Sequence, residues 1–264
     1  MAALRHYLLA LQFFTRIPVT GRLAAWVGYS PAQLNASAGH FPGVGWVVGA
    51  VGAAVLWLAA LRLPAGALGA LVAAGLSTAA TAWLTGAFHE DGLADTCDAL
   101  GGQVSRERAL EIMKDSRIGS YGTLALVLAL GLKLALLALL LQRGVAGAAA
   151  ALLAAHVLSR LAPLAVMRVL PYITEGPQAK SKPLADAVSG TSVVTSVLWS
   201  IPALALMGWS QGATETTVAM ALWALTLMAV LRWLRRRLQG FTGDTLGATQ
   251  QLCELALYLG LALA

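Results

Sequence analysis

Long apolar runs, separated by short polar breaks, set the pattern of this chain. A helix needs about 20 apolar residues to cross the hydrocarbon core of a bilayer. Seven runs reach or approach that length: 43–61, 65–88, 121–141, 145–170, 187–209, 216–231 and 245–264. The run at 216–231 is short but flanked by Trp and Arg, and the last one contains Glu254. The pattern predicts an all-α polytopic membrane protein of about seven transmembrane helices with short helices and loops between them, forming one membrane-embedded domain over 1–264. Gly45 and Gly49, four residues apart in the first run, predict close helix packing. The N-terminal stretch MAALRHYLLALQFFTRIP has a short apolar core interrupted by Arg16 and no small-x-small cleavage site. It predicts an interfacial or re-entrant helix ending near Pro18 rather than a signal peptide.

Composition strengthens this picture. The chain is 58% hydrophobic and 11% charged, against roughly 25% charged in soluble domains, and its mean hydropathy is +0.74. A soluble fold so poor in charge would expose large apolar patches. The net charge of +6 does not point to nucleic acid, because no basic patch with interleaved aromatics is present. The basic residues lie instead in short loops. With the N-terminus inside, fourteen of the eighteen Lys and Arg fall on the cytoplasmic side, only Arg62 and Arg143 outside, and Lys133 and Arg160 within spans. The positive-inside bias therefore predicts a cytoplasmic N-terminus, an external C-terminus and chemistry facing the cytoplasm. Cys97 and Cys253 form no disulfide or zinc spacing and read as packing residues.

Against this economy of charge, the stretch FHEDGLADTCD at 88–98 stands out. It follows a charge-free segment from 64 to 88 and holds four of the twelve acidic residues: Glu90, Asp91, Asp95 and Asp98. On a helix, Asp91, Asp95 and Asp98 stand at i, i+4 and i+7, within about 60° of one face, with Glu90 to the side. Mutual repulsion disfavours such a face unless a cation sits in it. The donors are all oxygen, which suits Mg²⁺ or Mn²⁺ rather than Zn²⁺. The competing reading is a solvated acidic loop. His89 is either a ligand or base, or an interfacial ring.

Three further features bear on chemistry. Ser105 predicts the cap of a short helix with Glu107 in its first turn, which gives way to Lys114, Asp115, Ser116 and Arg117 beside a Gly- and Ser-rich turn. Cations and exposed backbone N–H groups suit phosphate, although a positive-inside juxtamembrane segment would look similar. Asp244 follows a small-residue turn before the last run and can reach the same pocket as residues 91–98. Glu254 lies inside that run with Gln250 at i, i+4, and Arg160, then Lys133, are its expected partners. Acidic clusters, phosphate-type basic segments and apolar helices together equip a protein for phosphoryl transfer on a membrane-associated substrate. A divalent-cation transporter could use similar acids, but these cluster at a span end among Lys and Arg rather than at midplane.

The residues also resemble a known family. LQFFTRIPV at 11–19, HFPGVG at 40–45, FHEDGLADTCDALGG at 88–102, ERALEIMKDSRIGSYG at 107–122 and FTGDTLGATQQ at 241–251 are similar to the cobalamin synthases, the adenosylcobinamide-GDP ribazoletransferases of late vitamin B12 synthesis. Ala99 departs from the Gly that members often carry there. The resemblance implies a polytopic inner-membrane enzyme. It would join adenosylcobinamide-GDP to α-ribazole, or α-ribazole 5′-phosphate, release GMP and require Mg²⁺. It implies metal binding by Glu90, Asp91, Asp95, Asp98 and Asp244. Catalysis would fall to Asp95, Asp115, Lys114 and Arg117, and substrate contact to Lys114, Ser116, Arg117, Ser120, Tyr121, Thr242 and Gln250. The proton acceptor is Asp95 or Asp115. The implied partners are the two substrates and the lipid bilayer, with association with other enzymes of the pathway one hypothesis for the membrane location. The CDP-alcohol phosphotransferases are the nearest chemical alternative, but their GxxxDxxxD element is missing here.

Overall fold

The computed structural model describes residues 1–173 and 188–264. The helices are α1 (Ala2–Phe14), α2 (Gly21–Val27), α3 (Pro31–Ser37), a 3₁₀ turn (Ala38–His40), α4 (Phe41–Arg62), α5 (Ala67–Thr85), α6 (Phe88–Gly101) and α7 (Arg106–Ile112). They continue with α8 (Ser120–Arg143), α9 (Val145–Ser159), α10 (Ala162–Val169), α11 (Gly190–Gln211), α12 (Ala213–Arg237) and α13 (Gly243–Leu263). One isolated bridge, Tyr172 to Phe241, is the only β-pairing among the described residues. The all-α expectation holds. Lys180 and Lys182, two of the fourteen basic residues expected on the cytoplasmic side, and the loop expected around them at 180–186 lie outside the described residues.

Among the described residues, six helical stretches are long and apolar enough to cross a membrane: Pro31–Arg62, Ala67–Thr85, Ser120–Arg143, Val145–Val169, Gly190–Gln211 and Ala213–Arg237. The expected seventh, α13, is 21 residues long but carries Gln250, Gln251 and Glu254 and falls short by composition. Its position explains why. It packs against α6, α8, α9 and α12, and nearly every residue from Thr245 to Leu261 is buried. A helix enclosed by other helices can carry polar side chains that find protein partners instead of lipid. At α1, 13 residues are too few to span a bilayer.

Small residues let the helices approach closely. A Cβ on Gly45 would meet the Val157 Cα at 2.7 Å, and one on Gly49 the Leu153 Cα at 2.9 Å, so the small-residue pair seats α4 on α9 as expected. Helix ends are tied by arginines. Arg237 donates to the carbonyls of Leu100 (3.1 Å) and Gly102 (2.7 Å), and Arg106 to that of Leu238 (2.7 Å). At the opposite end Arg143 donates to Leu261 and Ala262, both at 2.8 Å. These contacts complement the carbonyl ends of helices. They gather α6, the 102–122 segment and the start of α13 at one end of the bundle.

Candidate active site

Residues 88–101 are helical, so the acids take the predicted spacing. Two left-handed residues, Gly86 (φ 68°) and Ala87 (φ 57°), break the chain between α5 and α6 and let α6 start in a new direction. Asp91 is exposed, whereas Asp95 is partly buried. Burial, reinforced by the charges of Asp91, Asp244 and Asp98, pushes the Asp95 carboxyl up to about 7. The structure thus brings Asp244 to the acidic face from the other end of the chain. Glycine makes this approach geometrically allowed: a Cβ on Gly92 would lie 2.7 Å from the Asp244 carbonyl oxygen and 3.1 Å from its Cα. One turn further, Gly247 lies close against the His89 backbone. Thr242 starts α13 there with a capping box through Thr245.

Asp98 has a different post from the one the spacing predicts. Its Oδ2 accepts from the Gly119 N–H (2.7 Å) and its Oδ1 from the Gly122 N–H (2.8 Å). It holds the start of α8 against the acidic helix. A Cβ on either glycine would collide with this carboxylate. The Gly-Ser-Tyr-Gly turn therefore admits a carboxylate from 21 residues away as the anion at a helix N-terminus.

The 105–122 segment folds as expected. Ser105 caps α7, accepting from the Arg108 N–H at 3.2 Å, and helix ends before Asp115. Asp98, Asp115, Arg117, Ser120 and Tyr121 line one open cavity. Its lining carries the Arg117 guanidinium and the Ser120 and Tyr121 hydroxyls, donors suited to a phosphate, beside the Asp98 and Asp115 carboxylates. Within it, the Arg117 guanidinium makes a paired contact with Asp115 (2.7 Å from Nη2 and 3.0 Å from Nε). Arg117 holds the Asp115 carboxyl down at about 2, which leaves that carboxylate little appetite for a proton. Ser116 and Lys114 are exposed beside it.

Two predicted site residues point elsewhere. Glu90 is buried to the side of the acidic face of α6, where its Oε1 accepts from Gln251 (3.2 Å). A residue one step from Asp91 is turned about 100° around the helix, so Glu90 cannot share the acidic face. Gln250 is buried inside the bundle, donating to Ser159 (2.9 Å) and Glu254 (2.7 Å). The expected partner of Glu254 is also corrected. Lys133 reaches it at 2.7 Å, with side-chain exposures of 2% and 1%. Arg160 follows the end of α9 and donates instead to the His156 carbonyl (2.7 Å) that the helix end leaves free. His89 is neither solvent-facing nor interfacial; its ring stacks on Phe14 at 5.6 Å, and burial keeps it neutral.

Comparison with known proteins agrees with these motifs. The profile of the cobalamin-5-phosphate synthase family matches residues 6–262. This chain belongs to that family. It is 55% identical to the adenosylcobinamide-GDP ribazoletransferase of Polaromonas naphthalenivorans, over 99% of this chain and 98% of that relative. It is 56% identical to the one of Albidiferax ferrireducens (98% of each). It is 40% identical to the one of Vibrio cholerae (98% of this chain, 95% of the relative). No solved structure matches. Sequence reasoning missed the cobalamin synthase fold's use of Gly92, Gly119 and Gly122 as close-approach positions, and Arg237 as the cap of the acidic helix. The glycines inside FHEDGLADT and IGSYG were the available signal.

Proposed function

We propose that the protein joins adenosylcobinamide-GDP to α-ribazole, or its 5′-phosphate, and releases GMP, with Mg²⁺ as cofactor and the reaction at the cytoplasmic face of the inner membrane. The observation that carries this is the approach of Asp91, Asp95 and Asp244 to one another, with the cavity of Arg117, Ser120 and Tyr121 joined to the same helix through Asp98, in an apolar bundle. Among the described residues no group of three His, Cys, Asp or Glu is placed to hold a metal ion by itself. Mg²⁺ usually takes one or two carboxylates and completes its shell with water and substrate phosphate. One or two of Asp91, Asp95 and Asp244 would hold it, and the ion would supply charge neutralisation at the pyrophosphate.

The chain's own residues account for the remaining requirements. Arg117 exchanges Asp115 for the departing GMP phosphate, with Lys114 completing the anion site. Asp98 keeps the start of α8 in register with the acidic face. The ribose hydroxyl of the accepting nucleoside attacks the phosphorus nearer the corrinoid; the new P–O bond forms as the bond to the GMP phosphate oxygen breaks. Of the two candidate bases, Asp95 stands on the acidic face with Asp91, whereas Asp115 is held in a paired contact by Arg117. The Lys and Arg asymmetry supports the cytoplasmic orientation.

The test is direct. Purified protein in nanodiscs should release GMP from the two substrates together, need both, and lose activity to a chelator with recovery on Mg²⁺ addition. GMP release at an unchanged rate in excess chelator would refute the metal assignment, and no product from either form of ribazole would refute the reaction.

A further inference from the structure

A small polar cavity of about 10 Å³, counted as room for the centre of a water, lies where α5, α6, α9 and α13 meet. One water needs about that much. Three residues on its wall each keep one buried polar atom without a hydrogen-bond partner among the described residues: Glu90 Oε2, His156 Nε2 and Arg160 Nε. These residues are 9%, 3% and 3% exposed. Polar atoms at such depth are costly unless something pairs with them. Arg160 also lies within electrostatic reach of Glu90 and Glu254.

The hydrogens decide what fits. A guanidinium can only donate, so the contact of Arg160 Nη1 with His156 Nδ1 (3.2 Å) makes that ring nitrogen the acceptor and puts the imidazole proton on Nε2. The three residues thus offer two donors, Arg160 Nε–H and His156 Nε2–H, and one acceptor, Glu90 Oε2. A metal cation would face both N–H groups, and an anion would face the carboxylates of Glu90 and Glu254. A water accepts twice and donates twice. Its second hydrogen has Thr81 or Thr85 to go to. Both hydroxyls belong to the cavity wall and spend their own hydrogens on carbonyls of α5, at 3.0 and 3.1 Å.

We propose that this cavity holds one water, which accepts from Arg160 and His156 and donates to Glu90, and that through it Glu90 acts as a positioning residue for the acidic face. Glu90 sits in the first turn of α6, one residue before Asp91. Its Oε1 takes Gln251 of α13, and its Oε2 takes the water held at the end of α9. Two tethers from one side chain to two helices fix how far α6 is turned about its axis. That turn presents Asp91 and Asp95 to Asp244. The bridge also gives Arg160 its counter-charge, as Glu254 gives Lys133 at 2.7 Å. The four buried charged side chains among the described residues, Glu90, Lys133, Arg160 and Glu254, then balance. The positioning role rests on the transferase reading above; the water does not.

The first test needs no variant. A structure of the full chain in nanodiscs, fine enough to place waters, should show one density peak about 2.7–3.2 Å from Glu90 Oε2, Arg160 Nε and His156 Nε2. No such peak, or an Arg160 Nε–H bonded directly to Glu90, would overturn the water. Glu90→Gln keeps the shape, but one of its two heads is a donor, so it cannot accept from both Gln251 and the water. It should lower kcat for GMP release by about ten- to a hundredfold, the scale of a displaced reacting group, with KM for both substrates near wild type. If that variant does not fold, Arg160→Lys, which keeps the charge but offers a single ammonium for Nη1 and Nε, should show the same split. Wild-type kcat in whichever variant is folded would overturn the positioning role, as would a loss carried by KM alone. A wild-type chain that releases no GMP from the substrate pair sinks the transferase reading, while the density still decides the water.

Discussion

Two charged regions of this membrane protein invite comparison: the acidic face at the open end of the bundle and the polar network in its middle. In the network, Lys133 and Glu254 meet at 2.7 Å with almost no exposure, and Gln250 and Tyr258 donate further hydrogen bonds to the same carboxylate. Each charge there has an answer inside the protein. At the open end, Asp91, Asp95 and Asp244 lie near one another, and burial together with its neighbours' charges drives Asp95 toward neutrality. Balanced, enclosed charge is what helix packing requires of a polar group in a membrane. Imbalanced charge at a reachable mouth is costly to the fold and makes sense as machinery awaiting a ligand.

The largest expected effect breaks the open end. Asp91→Asn and Asp244→Asn should each reduce GMP release by about a hundredfold to a thousandfold, the scale of losing one preorganised electrostatic group, while thermal unfolding in detergent stays close to wild type. Next comes the network. Glu254→Leu alone strands Lys133 in an apolar interior and should destabilise by about 3–5 kcal/mol, whereas Lys133→Met with Glu254→Leu should regain most of it. Thermal unfolding of the two variants checks the contrast. A smaller effect is expected from Gly92→Ala. Its Cβ must push Asp244 away, and a displacement of that order can cost about a hundredfold in rate, measurable as a fall in kcat with the helical content retained.

The mildest prediction concerns pH. Asp95 carries its proton up to about 7 in the metal-free protein. A cation must displace that proton, so Mg²⁺ affinity should rise as pH increases through about 7 and level off above it. Calorimetric titration of Mg²⁺ at a series of pH values reads this directly. Asp95→Asn should flatten the profile.

Much of this contrast could be read from the residues. The apolar runs gave the bundle, and the i, i+4, i+7 spacing of Asp91, Asp95 and Asp98 gave one acidic face, because both follow from helical geometry alone. What the chain did not disclose depends on which helices become neighbours. Asp98 finds its partners 21 and 24 residues away, in the backbone of Gly119 and Gly122. Glu254 could have met either in-span cation; the end of α9 draws Arg160 to the His156 carbonyl and leaves the carboxylate to Lys133. The same ignorance of neighbours made α13 look like an ordinary span and Gln250 like a substrate ligand, when both lie enclosed by the other helices. A cavity lined by Phe14, Phe41, Phe88 and Phe241 was equally hidden, since these rings come from four separate segments.

The central claim is that the open acids perform the chemistry and the buried pair only holds the helices. Single-turnover GMP release, normalised to folded protein, tests it most directly in two variants: Asp91→Asn and the double variant Lys133→Met with Glu254→Leu. The account predicts a well-folded Asp91→Asn protein that releases almost no GMP, and a double variant that releases it at nearly the wild-type rate. An active Asp91→Asn protein together with a folded but inactive double variant would contradict it.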